Sequence, residues 1–186
     1  MRVITVDNEK FGTLCTRLLD EVRSSGYEFD TVVAIARGGV KVAERIFGSR
    51  FYTVTGQRSG TPLKRLLKPI ISLLPRKVTS FLRIAEARLL GACNHFGSHK
   101  VAKTIEIDVR LRSVLSEKNH RILIVDDAAD SGETLLKVVE SLRAFGEGNE
   151  IRTAVITSTR KNQLISPDYT IYRDETLIRF PWAPDA

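Results

Sequence analysis

Apolar residues in this chain follow two rhythms. Short β-branched runs suited to buried strands occur at "TVVAIA" (31–36), "RILIV" (121–125) and "RTAVITST" (152–159). Between them, apolar positions recur every three or four residues, the spacing of amphipathic helices. "RVITV" (2–6) predicts a first strand. "DNEKFGTLCTRLLDEVRSSG" then predicts a helix with Phe11, Leu14, Leu18, Leu19 and Val22 on one face, capped by Asp7 or Asn8 and ended at Gly26. "GVKVAERIFG" predicts a second helix and "RFYTVT" a second strand. Near the C-terminus, a helix is expected over Ser131 to Phe145, with short strands at "YTIY" and "TLIRF" before "PWAPDA". Strand, helix, strand in this order is the pattern of an α/β fold with a Rossmann-like open parallel sheet.

The middle of the chain breaks the rhythm. Thr61 with Pro62 makes a helix start, and Pro69 and Pro75 interrupt "LKRLLKPIISLLP". "RKVTSFLRIAEARLLG" aligns Val78, Leu82, Ala85 and Leu89, and "VAKTIEIDVRLRSVLSEK" suits a strand followed by a helix. The organisation expected is one domain over 1–186, with a helical, basic insertion at about 57–118 and a distinct C-terminal segment at about 160–183.

Charge sharpens the contrast. Residues 50–121 hold 15 of the 29 Lys and Arg but only 4 of the 22 Asp and Glu, a net +11 against −4 for the rest. Such a stretch attracts polyanions, whether nucleic acid, lipid headgroups or a polyphosphate ligand, and also serves as a plain solvated surface. No run of 18 apolar residues spans a membrane, the N-terminus lacks a signal-peptide pattern, and two cysteines, Cys15 and Cys93, fit a reducing compartment, so a cytoplasmic protein is expected. "PIISLLP" suits packing in a lid or interface better than lying on a membrane. Cys93, His95 and His99 in "CNHFGSH" lack a fourth zinc ligand, and Gly97 disrupts their spacing, so they are read as loop residues. Trp182 is read as a packed anchor.

In an open α/β sheet, ligands bind beyond the carboxyl ends of the strands, where strand order reverses. Both "RGG" after strand 31–36 and "DDAADSGET" after strand 121–125 belong to such ends. In the second loop, Ser131, Gly132 and Thr134 lie where a helix begins, and free N–H groups with the positive helix end suit a phosphate. Asp126 and Asp127, adjacent on extended backbone, are expected to point to opposite sides, where carboxylates would meet sugar hydroxyls and Mg2+. Helix capping alone uses one such acid, and here there are three with Asp130. "RGG" by itself fits an ordinary tight turn equally well.

These residues resemble a known family. "ILIVDDAADSGET" is similar to the phosphoribosyl diphosphate signature of type I phosphoribosyltransferases, with Ser131 in place of the usual first Thr. The resemblance implies that Asp126 and Asp127 hold the ribose hydroxyls and a magnesium ion, and that Ala129, Ser131, Gly132, Glu133 and Thr134 bind the 5′-phosphate. "IARGGV" resembles the family's diphosphate loop, implying contacts from Arg37, Gly38 and Gly39 and a cis peptide between Ala36 and Arg37. Asp130 matches the third acid of the 6-oxopurine branch, a proposed proton relay at the purine. The tail "DYTIYRDETLIRFPWAP" is similar to that branch's base-recognition segment, which places Leu177 where an aromatic usually stacks and Phe180 near backbone that reads the purine edge. Lys161, with Arg160 as competitor, is the expected reader of the 6-oxo group.

The implied activity is transfer of the phosphoribosyl group to a nucleobase, a 6-oxopurine, with Asp130, Asp126 and Asp127 as catalytic residues and a homo-oligomer, dimer or tetramer, as the assembly. The insertion would supply a lid that excludes water. The rival reading is a regulatory protein that senses phosphoribosyl diphosphate and binds nucleic acid through its basic insertion.

Overall fold

Thr31–Ile35 is buried along its whole length, as a central strand covered on both faces must be. In a computed structural model of the protein, which describes residues 2–56, 105–116, 119–146, 148–173 and 176–183, this strand lies inside a six-stranded sheet. The elements in chain order are β1 (Arg2–Thr5), α1 (Asn8–Ser24), β2 (Thr31–Ile35), α2 (Gly38–Phe47), β3 (Tyr52–Gly56), β4 (Ile105–Ile107), α3 (Val109–Leu115), β5 (Arg121–Ala129), α4 (Glu133–Arg143), β6 (Glu150–Ser158), β7 (Tyr169–Tyr172) and β8 (Thr176–Arg179). The described residues all belong to one compact unit. The helices expected between Thr61 and Leu90, and the Cys93, His95 and His99 cluster, lie outside the described residues.

The sheet runs β4-β3-β2-β5-β6-β7, parallel throughout except for β4, which pairs antiparallel with β3 at the edge. β1 and β8 form a separate parallel pair, with Val3 opposite Leu177. Local signals placed the helices well. Asp7 caps α1 by accepting the Lys10 N–H at 2.8 Å, and the chain leaves that helix through Gly26 in the left-handed region, φ 74°.

Because successive strand residues face opposite sides, the core divides into two. Val32, Leu123, Val125, Ala154 and Ile156 face Phe11, Leu14, Leu18 and Val22 of α1 and Val42 of α2. Val33, Ile35, Ile122 and Ile124 face Leu111 and Leu115 of α3 and Leu135, Val138, Val139 and Leu142 of α4. Residues 105–115, counted with the insertion in the sequence reading, therefore supply an edge strand and a core-packing helix. Among the described residues no helix is long and apolar enough to cross a membrane.

From β2 the chain passes outward to β3 on one side, while β5 and β6 extend the sheet on the other. Strand order thus reverses between β2 and β5, and the loops leaving their carboxyl ends carry "RGG" and "DDAADSGET".

Candidate active site

β5 does not stop at Val125. It continues to Ala129 because β6 runs alongside it over the same stretch, pairing Asp126 with Val155, Ala128 with Thr157 and Ala129 with Ser158. Asp126 and Asp127 consequently stand on the strand rather than in the loop beyond it. This anchorage gives them a backbone held by a ladder of hydrogen bonds.

The "RGG" loop lies directly against them. A Cβ at Gly38 would collide with the Asp127 carboxylate, and one at Gly39 with the carbonyl oxygen of Val125, so only glycine permits this approach. The Ala36–Arg37 peptide is cis, as the resemblance implied. Arg37 is the N-cap residue of α2 and makes no side-chain cap bond; its side chain is exposed.

The two carboxyls were expected to diverge. They instead both lie against the glycine loop, and Asp126 Oδ1 accepts the Asp127 N–H at 2.9 Å. The Gly39 N–H beside Asp126 and the Trp182 indole N–H beside Asp127 favour the charged carboxylates. Burial pushes the Asp126 carboxyl well above the usual carboxylate range, with the neighbouring Asp127 charge adding to it, and burial likewise raises Asp127. Such a pair gains from a ligand that brings hydroxyl donors or a cation. Among the described residues no His, Cys, Asp or Glu joins it to make a group of three. The pair fits Mg2+ only as a partial set of oxygen ligands, the remainder coming from substrate oxygens and water, which is how this ion is commonly held.

Beyond Ala129, α4 starts at Glu133 rather than at Ser131. Gly132 is its N-cap in the left-handed region, φ 72°, a conformation that disfavours other residues. The Ser131 hydroxyl accepts the Glu133 N–H at 3.4 Å, and the helical bond pattern opens with Leu136 N–H to Gly132 O at 2.8 Å. The Thr134 and Leu135 amides precede that bond and belong to the positive helix end. The Glu133 carboxylate is engaged by Lys137 at 3.0 Å.

Asp130 is exposed, and its Oδ1 accepts from Thr159 Oγ1 and from Arg160 Nε, each at 2.7 Å. Of the two candidates for reading a base, Arg160 is therefore already paired with an acid, whereas Lys161 is exposed at the bend after β6. Leu177 lies on the outward side of β8, 37% exposed, beside the exposed Val3. The Phe180 ring is buried, stacked on Trp182 at 4.8 Å and edge-on to Phe11 at 6.1 Å. Any contact from Phe180 to a ligand must come from its backbone.

Three participants escaped sequence reasoning. Trp182 is both the packed anchor expected and a neighbour of the Asp127 carboxyl whose indole N–H favours its charged form. Thr159 shares Asp130 with Arg160. Gln163 bonds the turn after β5, donating to Ala129 O at 3.0 Å and Asp130 O at 2.8 Å; within the polar stretch "STRKNQ" no periodicity marks it out.

With this geometry in place, comparison with known proteins adds identity. The model of the phosphoribosyl transferase domain matches residues 75–186, more than half the chain. No curated protein matches in sequence. Among solved structures, a purine phosphoribosyltransferase from Pyrococcus horikoshii Ot3 is similar at 19% identity and TM-score 0.60, over 98% of this chain and 95% of that one. The xanthine-guanine-hypoxanthine phosphoribosyltransferase of Helicobacter pylori is similar at 15% identity and TM-score 0.65, over 99% and 96% of the two chains. At these identities the likeness establishes the fold.

Proposed function

Because the chain belongs to the phosphoribosyl transferase domain family, we propose that it transfers the 5-phosphoribosyl group from phosphoribosyl diphosphate to a 6-oxopurine and releases diphosphate. The observation that carries this reading is the contact between the start of α2 and the end of β5 at the strand-order reversal. Gly38 and Gly39 lie against Asp126 and Asp127, with the N-terminus of α4 following four residues beyond Ala129.

In this reading the amides from Asp130 to Leu135, along the turn and the start of α4, and the Ser131 hydroxyl bind the 5′-phosphate. Asp126 and Asp127 accept the ribose hydroxyls and hold Mg2+, which when bound offsets charge on the departing diphosphate. Arg37, exposed at the start of α2, binds that diphosphate, and stabilising developing charge in this way is commonly the largest catalytic contribution. Asp130 accepts the proton that the purine loses as its ring nitrogen attacks the anomeric carbon. Lys161 reads the 6-oxo group, with Arg160, paired with Asp130 in the free protein, as its competitor. Leu177 would cover a base less tightly than an aromatic ring. The purine solved-structure neighbours support this choice of base.

The test is incubation with Mg2+, phosphoribosyl diphosphate and, separately, hypoxanthine, guanine, xanthine, adenine, orotate and uracil, following diphosphate release. Turnover with the oxopurines is expected, and Asp127→Asn is expected to abolish it without unfolding the protein. Turnover with adenine or a pyrimidine alone overturns the base assignment. Binding of phosphoribosyl diphosphate without turnover, together with salt-sensitive nucleic-acid binding, favours the sensor reading suggested by the +11 stretch.

A further inference from the structure

The segment after β6 touches every residue of the turn between β5 and α4. The Thr159 N–H donates to Ala129 O at 3.0 Å and the Leu164 N–H to Ser131 O at 3.0 Å. Gln163 Nε2 donates to both Ala129 O and Asp130 O, while its Oε1 accepts from Ser158 Oγ at 3.1 Å. A Cβ at Gly132 would come 2.6 Å from Ile165 O, so that glycine too lies against the segment.

The consequence follows from peptide geometry. In a trans peptide the C=O and the following N–H point in opposite directions. Holding the carbonyls of Ala129, Asp130 and Ser131 toward residues 159–164 turns the N–H groups of Asp130, Ser131 and Gly132 away from that segment. Successive amides presented together form a concave anion site. A single side chain, Gln163, fixes two of these three peptide planes.

We propose that Gln163 is the positioning residue of the phosphate cradle, orienting the amides of Asp130 and Ser131 by gripping the carbonyls on the reverse side of the same turn. This deepens the phosphoribosyl reading and rests on it for the identity of the ligand. The Ser158 bond extends the same grip to the end of β6, so the phosphate turn and the strand that leads to Lys161 share one support.

The experiment compares wild type with Gln163→Met, which keeps length and lacks donors, with Gln163→Lys, which keeps donors, and with Asn162→Ala as an exposed neighbour control. For the Met variant, KM for phosphoribosyl diphosphate is expected to rise roughly tenfold with kcat within about twofold, since losing donors to two carbonyls is worth on the order of one factor of ten. Calorimetric titration with ribose 5-phosphate is expected to weaken in parallel, and the Lys variant to recover most of the loss. Hydrogen exchange in the ligand-free Met variant should quicken at the Thr159 and Leu164 amides, a readout that needs no ligand and no turnover. Unchanged exchange overturns the proposal, as does a Met variant with normal KM or a Lys variant as impaired as Met. Wild type that binds neither phosphoribosyl diphosphate nor ribose 5-phosphate refutes the phosphoribosyl reading, while the exchange experiment still judges the grip itself.

Discussion

Alanine at Gly38 and alanine at Gly39 should fail in different ways, because the added methyl meets different things. Neither glycine has a positive φ, so the cost is steric rather than conformational. At Gly39 the methyl runs into the Val125 carbonyl and comes 3.1 Å from Asp126 Cα, backbone atoms of a strand paired on both sides. They cannot withdraw. Overpacking of this sort costs about 1–3 kcal/mol, and the rigid surroundings favour the upper end. In a chain of 186 residues, about 3 kcal/mol lowers Tm by about 6–12 °C. At Gly38 the atoms nearest the methyl are all of the Asp127 carboxylate, the end of a side chain that can rotate away. Helix propensity returns about 0.5–1 kcal/mol to an alanine there, so the net change in stability should stay within about 1 kcal/mol. Turnover is the casualty. With Asp127 displaced, a charge-assisted hydrogen bond to the substrate worth about 1.5–3 kcal/mol is lost, lowering kcat/KM by roughly 10- to 150-fold. Urea midpoints and diphosphate release measure the two effects. Adding Asp127→Ala to Gly38→Ala should relieve the collision without restoring turnover. A Gly38→Ala enzyme of normal activity, or one destabilised as much as Gly39→Ala, refutes the reasoning.

Two further outcomes are expected. Asp126 and Asp127 are raised in the folded protein, so the native state retains protons that the unfolded chain releases; their contribution is full below the unfolded value near 3.8 and is lost as pH rises through the folded range. Urea midpoints of the ligand-free protein in EDTA should therefore fall with pH more steeply for wild type than for Asp126→Asn, and parallel curves refute the assignment. Trp182, the sole tryptophan, should change its emission when Mg2+ and phosphoribosyl diphosphate are added, and the change should vanish in Asp127→Ala; an identical response in that variant means the indole does not report on the acids.

Periodicity carried most of the fold because the elements that build it are strongly patterned. β2 and β5 read as unbroken apolar runs since both faces are covered, and α1 shows its buried stripe at every turn. The extension of β5 to Ala129 was invisible for a physical reason. Asp126 and Asp127 have low strand propensity, and what keeps them extended is pairing with β6, a partner that local sequence does not reveal. The direction of the two carboxyls escaped for another reason, since alternation along a strand predicts divergence and takes no account of the glycine loop lying against both.

The tail shows the opposite situation, where position in the chain suggested more than a side chain can deliver. Along β8, Thr176 and Ile178 are buried while Leu177 and Arg179 are exposed, and Phe180 turns back into the core. Period-two alternation therefore offers a ligand Leu177 and withholds the Phe180 ring. At the other edge of the site, Asp130 Oδ1 already accepts from both Thr159 and Arg160. A base that engages Asp130 must share this oxygen, use Oδ2, or displace Arg160. Displacement is inexpensive, because an exposed ion pair is worth only about 0–1 kcal/mol, and it would free a guanidinium beside the exposed Lys161. The pairing seen in the free protein thus keeps the acid oriented at little energetic cost to an incoming base.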